Sequence, residues 1–259
     1  MLRLSGTRAL VTGATTGLGR AMAAALADAG ARVAVTSRDA ERARSAAAEI
    51  GPNAVPVGLD VRDEGSVASA VDEVWRRLGG LDLLVNNAGI GMRTVNPRFL
   101  EEPQPFWAVA PDGFRDVVET KLSGCFLVAR AVVPRMLDAG GGRVVTISMN
   151  ESTMTRRGFV PYGPAGAGVE ALARVMAADL ADSPVRANML LPGRATATGM
   201  VPEERVSAAL RSGLLDPAIM GPPIVWLASP EAAEVHDERI AAVEFEAWLA
   251  ARRARTTQT

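Results

Sequence analysis

Short apolar runs alternate with alanine-rich amphipathic stretches along almost the whole chain, and this alternation restricts the fold more than any single residue does. Strand-like runs stand at 8–12, 32–37, 54–60, 81–87, 143–148 and 185–191, with helix-like stretches near 18–29, 39–50, 64–78, 111–138 and 162–181. Runs such as RALVT and RVAVTS are apolar on both faces, as buried parallel strands must be when helices cover both sides of a sheet. Regular β-α alternation implies right-handed crossovers and a doubly wound, Rossmann-type parallel sheet in a three-layer α/β/α sandwich. No repeat and no linker-like change of composition divides the chain. A single domain over residues 1–250 is expected, with a polar tail at 251–259.

Composition removes several classes of function. In 259 residues the formal charge is −1, so no basic field points to nucleic acid. No run reaches the length of a membrane span, and MLRLSGTRALVTGATTG lacks the apolar stretch of a secretion signal. A single cysteine, Cys125, and a single histidine, His236, exclude an internal disulfide and a His/Cys metal cluster. A cytoplasmic, metal-free protein is therefore expected. One lysine, Lys121, survives among 28 basic residues, which makes its place informative.

The segment TGATTGLGR, residues 12–20, joins the first strand to the first helix. Gly13, Gly17 and Gly19 permit a tight turn, close approach of backbone to a pyrophosphate and close helix packing. Thr15, Thr16 and Leu18 complete the turn, and the helix start offers N–H groups and a positive dipole end to the anion. Glycine spacing alone also describes a plain strand–helix turn; its position after the first strand favours a nucleotide. The second strand ends in TSRDAER. An acid at that tip would hold a ribose 2′-hydroxyl, whereas Ser37-Arg38 suits a 2′-phosphate, so NADP(H) is favoured over NAD(H). A solvated surface arginine is the competing reading of Arg38.

The glycine loop, LVNNAGIG at 84–91 and the PG of LLPGRATATGM at 190–200 together resemble the short-chain dehydrogenase/reductase family. The likeness runs from Thr7 to about Ala247. It implies that Asp60 and Val61 hold the adenine, that Asn87, Ala88 and Gly89 lie along the cofactor, and that Pro192, Gly193 and Thr198 reach its nicotinamide end. It also implies carbonyl/alcohol oxidoreduction of a small organic substrate by an Asn, a Ser, a Tyr and a Lys, the last two spaced YxxxK.

Tyr162, the only tyrosine, matches the family tyrosine. The lysine position holds Gly166, the serine position holds Met149 with Ser148 one residue early, and the asparagine position holds Lys121. An unassisted phenol, with a pKa near 10, is a usable acid and a poor base at neutral pH. Three readings are compatible with these departures. Lys121 restores a cation beside Tyr162, with Ser148 as a displaced third member. Alternatively the scaffold carries non-redox chemistry such as cyclisation, isomerisation or dehydration, or it is a non-catalytic binding subunit. Cys125, one turn beyond Lys121, reads as core.

The stretch between Gly89 and Lys121 is longer than the family usually has. Its residues 90–113 follow a strand end and so are expected to shape substrate access, with a surface or subunit-contact insertion as the competing reading. Shortening it is expected to change ligand affinity and to leave stability nearly unchanged. Residues 198–217 resemble the family's substrate lid, and Arg156 and Arg157 precede Tyr162 as a solvated or anion-attracting pair. His236, in VHDERIAAVEF near the last strand, reads as a surface or subunit-contact residue. By resemblance the protein is a homo-oligomer, dimer or tetramer, packed through the helices beginning near 111 and 162.

Overall fold

The computed structural model describes residues 2–200 and 212–256. Seven parallel strands form one sheet: β1 Arg8–Val11, β2 Arg32–Ser37, β3 Ala54–Gly58, β4 Leu83–Asn86, β5 Gly142–Ile147, β6 Val185–Leu191 and β7 Arg239–Ala241. They are ordered β3-β2-β1-β4-β5-β6-β7. Val11 pairs with Val35 on one side and Val85 on the other. The order reverses between β1 and β4, which opens a crevice at their C-terminal ends, where such sheets bind ligands.

Strand alternation divides the core into two layers. Val11, Val33, Val35, Leu83, Val85 and Leu190 turn to the side of α1, Gly17–Asp28. Leu10, Leu84, Val144 and Ala187 turn to the other side, where α3, Glu64–Leu78, and the helix at 124–138 cover them. Burying each such Leu or Val contributes about 1.5–3 kcal/mol. The logic of a single helix is plain in α3. Asp63 caps its start by accepting the Ser66 N–H at 2.5 Å, Gly79 ends it in left-handed conformation, and Val67, Ala70, Val71, Val74 and Leu78 form its buried stripe. The helix α2 spans Ala40–Ile50.

The long helix expected over 111–138 is instead three pieces. It runs as α4, Pro111–Val118, a π-helical turn, Glu119–Ser123, and α5, Gly124–Asp138. A π turn carries an extra residue and resets the side-chain phase, a device found at functional sites and invisible to a 3.6-residue pattern. Lys121 stands at its centre. After the short α6, Glu151–Met154, comes α7, Tyr162–Asp179, which begins on the tyrosine itself. Then follow α8, Gly221–Ala228, and α9, Phe245–Thr256, so the first six residues of the polar tail are helical. Among the described residues, no helix is long and apolar enough to cross a membrane, and no group of three or more potential metal ligands converges.

Candidate active site

The floor of the crevice is built by the chain's first loop and the NNAG segment bracing each other. Thr12 Oγ1 accepts the N–H groups of Asn87 and Ala88, each at 2.9 Å, while Asn87 Nδ2 donates to the carbonyls of Thr12 and Gly13 at 2.8 and 3.1 Å. Gly17 has φ +56°, and a Cβ on Gly19 would lie 2.4 Å from Asn87 Nδ2 and from the Gly13 carbonyl. Only glycine meets both demands. No side chain caps α1 at Thr16, and no carboxylate stands in its first turn. This helix start therefore suits an anion. Opposite it, Thr198 lies 3.2 Å from where a Cβ on Gly17 would be, so Thr15–Gly19 and Thr198 form the two lips of the crevice. The PG turn is held by Asn150, whose Nδ2 donates to the Gly193 carbonyl at 2.7 Å, and by the Val243 N–H, which reaches the Pro192 carbonyl at 3.3 Å.

At the tip of β2, Arg38 is exposed while Asp39 is occupied: its carboxylate caps α2, accepting the Glu41 and Arg42 N–H groups at 2.9 and 3.2 Å. Ser37 Oγ accepts the Asp39 N–H at 3.2 Å. Asp60 is engaged by Arg62 through bonds of 3.1 and 2.9 Å, and that guanidinium, with a smaller contribution from Arg38, holds its carboxyl below the usual carboxylate range. Val61 packs against Gly124 at the start of α5.

Tyr162 and Lys121 meet at the inner end of the crevice. The Lys121 Nζ stands 5.3 Å from the centroid of the Tyr162 ring, over its face, and a Cβ on Gly89 would lie 3.8 Å from Lys121 Cγ. Lys121 keeps some exposed side-chain surface, yet burial around its amine brings its pKa down to about 8, opposed only by Cys125. Burial pushes the Tyr162 phenol above its ordinary value. The hydroxyl donates to Met200 Sδ at 3.7 Å. Cys125 is buried as expected, and burial raises its thiol to about 12. The pair thus combines a phenol that keeps its proton with an amine that is mostly, but not wholly, charged at neutral pH.

The pattern described as short chain dehydrogenase matches residues 7–208. The chain belongs to the short-chain dehydrogenase family. It is 32% identical over 245 residues to the 3-oxoacyl-(acyl-carrier-protein) reductase FabG of Vibrio cholerae, covering 92% of this chain and 96% of that one. It is 35% identical over 193 residues to a D-threitol dehydrogenase of Mycolicibacterium smegmatis, covering 73% and 70%. The crystal structure of a 3-ketoacyl-(acyl-carrier-protein) reductase from Brucella melitensis, complexed with NADH, superposes with a TM-score of 0.80 at 28% identity, covering 92% of this chain and 97% of that one.

Met149 and Gly166, the two positions read as departures in the sequence, are packed against each other. A Cβ on Gly166 would lie 2.3 Å from Met149 Cε and 2.6 Å from its Sδ, so the methionine tip fills the ground that a longer residue at 166 would need. Ser148 does not join the site. Its hydroxyl donates to the Glu170 carboxylate, whose other oxygen accepts Arg239 Nε at 2.8 Å, while Arg239 also donates to the Met149 carbonyl at 3.0 Å. Glu170 is two helical turns from Tyr162, about 12 Å along the axis. Ser148 and Met149 both reach α7, but one turn apart: Met149 lies against Gly166 and Ser148 against Glu170, one turn further from Tyr162, so the serine serves the Glu170–Arg239 pair instead of the phenol.

The insertion forms a wall of its own. Met92, Phe99 and Phe159 make a third buried cluster, with Val95, Leu100 and Tyr162 packed against it and the two phenylalanine rings edge-to-face at 5.6 Å. It borders the site, since Tyr162 packs against the same cluster, and its Met92 and Phe99 are buried. Gly91 lies close under Met200, and Arg93 donates to the Gly199 carbonyl at 3.4 Å, so the insertion holds Gly199 and Met200 in place. Residues 201–211 of the segment that resembles a lid lie outside the described residues. Arg156 lies over the Phe159 ring at 4.7 Å, and Arg157 is exposed. His236 is half-buried and held on both ring nitrogens. Its Nδ1 accepts the Ala187 N–H at 3.2 Å and its Nε2 lies 2.8 Å from the Ala177 carbonyl, pinning the end of α7 to β6.

Sequence reasoning passed over Asn86, the first asparagine of NNAG. It is 6% exposed, and both polar atoms of its side chain lack a partner among the described residues. A buried polar group left so costs about 1–3 kcal/mol.

Proposed function

We propose that this chain is an NADP(H)-dependent oxidoreductase that interconverts a carbonyl and an alcohol on a small organic substrate. Tyr162 is its acid, and Lys121 stands in for the lysine lost at 166. The observation that carries this reading is the Lys121 amine over the Tyr162 ring at 5.3 Å, at the inner end of a crevice with a glycine-loop floor. The relatives named as reductases and dehydrogenases, and the related structure holding NADH, support a nicotinamide cofactor. Gly13, Thr15, Thr16, Gly17, Leu18 and Gly19 would hold its pyrophosphate, with Asp60 and Val61 at the adenine. Asn87, Ala88, Gly89, Pro192, Gly193 and Thr198 would line its other end. Exposed Arg38 beside Ser37, with Asp39 spent on capping α2, supports a 2′-phosphate and hence NADP(H).

The nicotinamide, when bound, supplies a hydride to the carbonyl carbon or accepts one from the alcohol. The chain's own part is proton management. Tyr162 donates its proton to the carbonyl oxygen, and burial, which keeps the phenol protonated, favours this direction at neutral pH. The phenolate left behind is offset by the Lys121 cation. The reverse direction needs a base and therefore belongs to higher pH. We also propose a homo-oligomer, because Phe126 and Leu137 on α5 and Val175 on α7 are 47%, 39% and 57% exposed.

Calorimetric titration with NADPH and NADH, followed by NADPH consumption against a panel of ketones and aldehydes, tests the reading. Tighter NADPH binding and turnover that disappears in Tyr162→Phe are expected. Binding of neither nucleotide, or turnover untouched by Tyr162→Phe, contradicts it.

A further inference from the structure

Beside the Lys121 side chain lies a small, partly open cavity of about 10 Å³, lined among others by Thr12, Asn86, Lys121, Cys125, Ile147 and Val169. That is the room of one water molecule. Thr12 has its hydroxyl committed to Val85, Asn87 and Ala88. Asn86 has neither its Oδ1 nor its Nδ2 committed, although it sits at the end of β4, in register with Thr146, where bulk solvent does not reach. We propose that this cavity is a binding site for a single internal water that bridges Asn86 and Lys121, making Asn86 a positioning residue for the site's only lysine.

The water accepts a hydrogen bond from the ammonium and donates one to Asn86 Oδ1, with the Cys125 sulfur as a weak third partner. It supplies the two to four polar contacts that an internal water requires, and it pairs a carboxamide that the fold leaves unpaired. The titratable groups facing Lys121 among the described residues are Tyr162, from α7, and Cys125, from its own helix. No carboxylate contributes to its titration. On the Asn86 side, the solvation of the amine therefore rests on this one water. The functional meaning of the site rests on the role given to Lys121 above, whereas the site itself does not.

Because Lys121 is the only lysine, protein labelled with 13C at lysine Cε gives one side-chain signal to titrate. In Asn86→Asp a carboxylate replaces the amide across the water, and the Lys121 midpoint is expected to rise from about 8 by about one unit or more. In Asn86→Leu, which fills the cavity, it is expected to fall below the wild-type value. In the wild type, the Asn86 side-chain NH2 should show a cross-relaxation signal to a long-lived water. Midpoints that stay together in all three proteins overturn the proposal. If either variant fails to fold, absence of that water signal in the wild type overturns it. None of these readouts needs turnover, so a failed oxidoreductase assay leaves the result intact.

Discussion

Replacing Lys121 with methionine should make the protein more stable, by an amount that the buried amine sets and that pH should tune. The amine falls from an ordinary 10.5 to about 8 on folding, mainly through burial. A drop of that size corresponds to about 3 kcal/mol. Below pH 8 the amine is charged in both states, and the folded state bears the full cost of enclosing the charge. Between about 8 and 10.5 the unfolded chain binds more protons than the folded one, so stability rises with pH across that window. Lys121→Met removes the charge and keeps most of the side-chain volume. At pH 7 it should stabilise the protein by about 3 kcal/mol, roughly 6–12 °C in Tm. At pH 9.5 the advantage should shrink to about half of that. Urea unfolding of both proteins at the two pH values gives the difference directly. An advantage that is the same at both pH values, or a variant less stable at pH 7, would refute the buried-amine argument.

Three further outcomes follow from packing and charge. Gly166→Lys should destabilise by about 1–3 kcal/mol, because Met149 occupies its path, and adding Met149→Ser should recover most of the loss; thermal melts of the two variants check this. Phe99→Ala should cost about 3 kcal/mol or more in urea unfolding and should also weaken ligand binding, since its cluster backs Tyr162. Arg38→Asp should reduce NADPH affinity more than tenfold and leave NADH nearly unchanged, as calorimetry would show.

The alternation of apolar runs was enough to place six strands and the doubly wound sheet, because a buried parallel strand has few other ways to be written. The glycine loop and NNAG were legible for a related reason: Gly19 is demanded by contact, not by local preference. What the sequence hid depends on phase or on distant partners. The π turn at 119–123 shifts Lys121 by an amount that no helical period records. Ser148 reads in sequence as one residue out of place, and only the fold shows its hydroxyl spent on Glu170, which Arg239 from far along the chain also holds. Met149 and Gly166 read as two separate departures in sequence, and only the packing shows the Met149 tip filling the space beside Gly166. Asn86 carried no signal beyond its place in NNAG, since an unpaired amide is a property of the folded interior.

The pairing of Lys121 with Tyr162 is tested most directly by the pH dependence of carbonyl reduction in the wild type and in Lys121→Met. The cation beside the phenol is lost as pH rises through about 8, so wild-type reduction should fall along a limb centred there. In Lys121→Met the rate should be lower by on the order of a hundredfold at neutral pH, and that limb should be absent. A variant that reduces the same substrate within about twofold of wild type, with the same limb, would show that Lys121 takes no part in the chemistry.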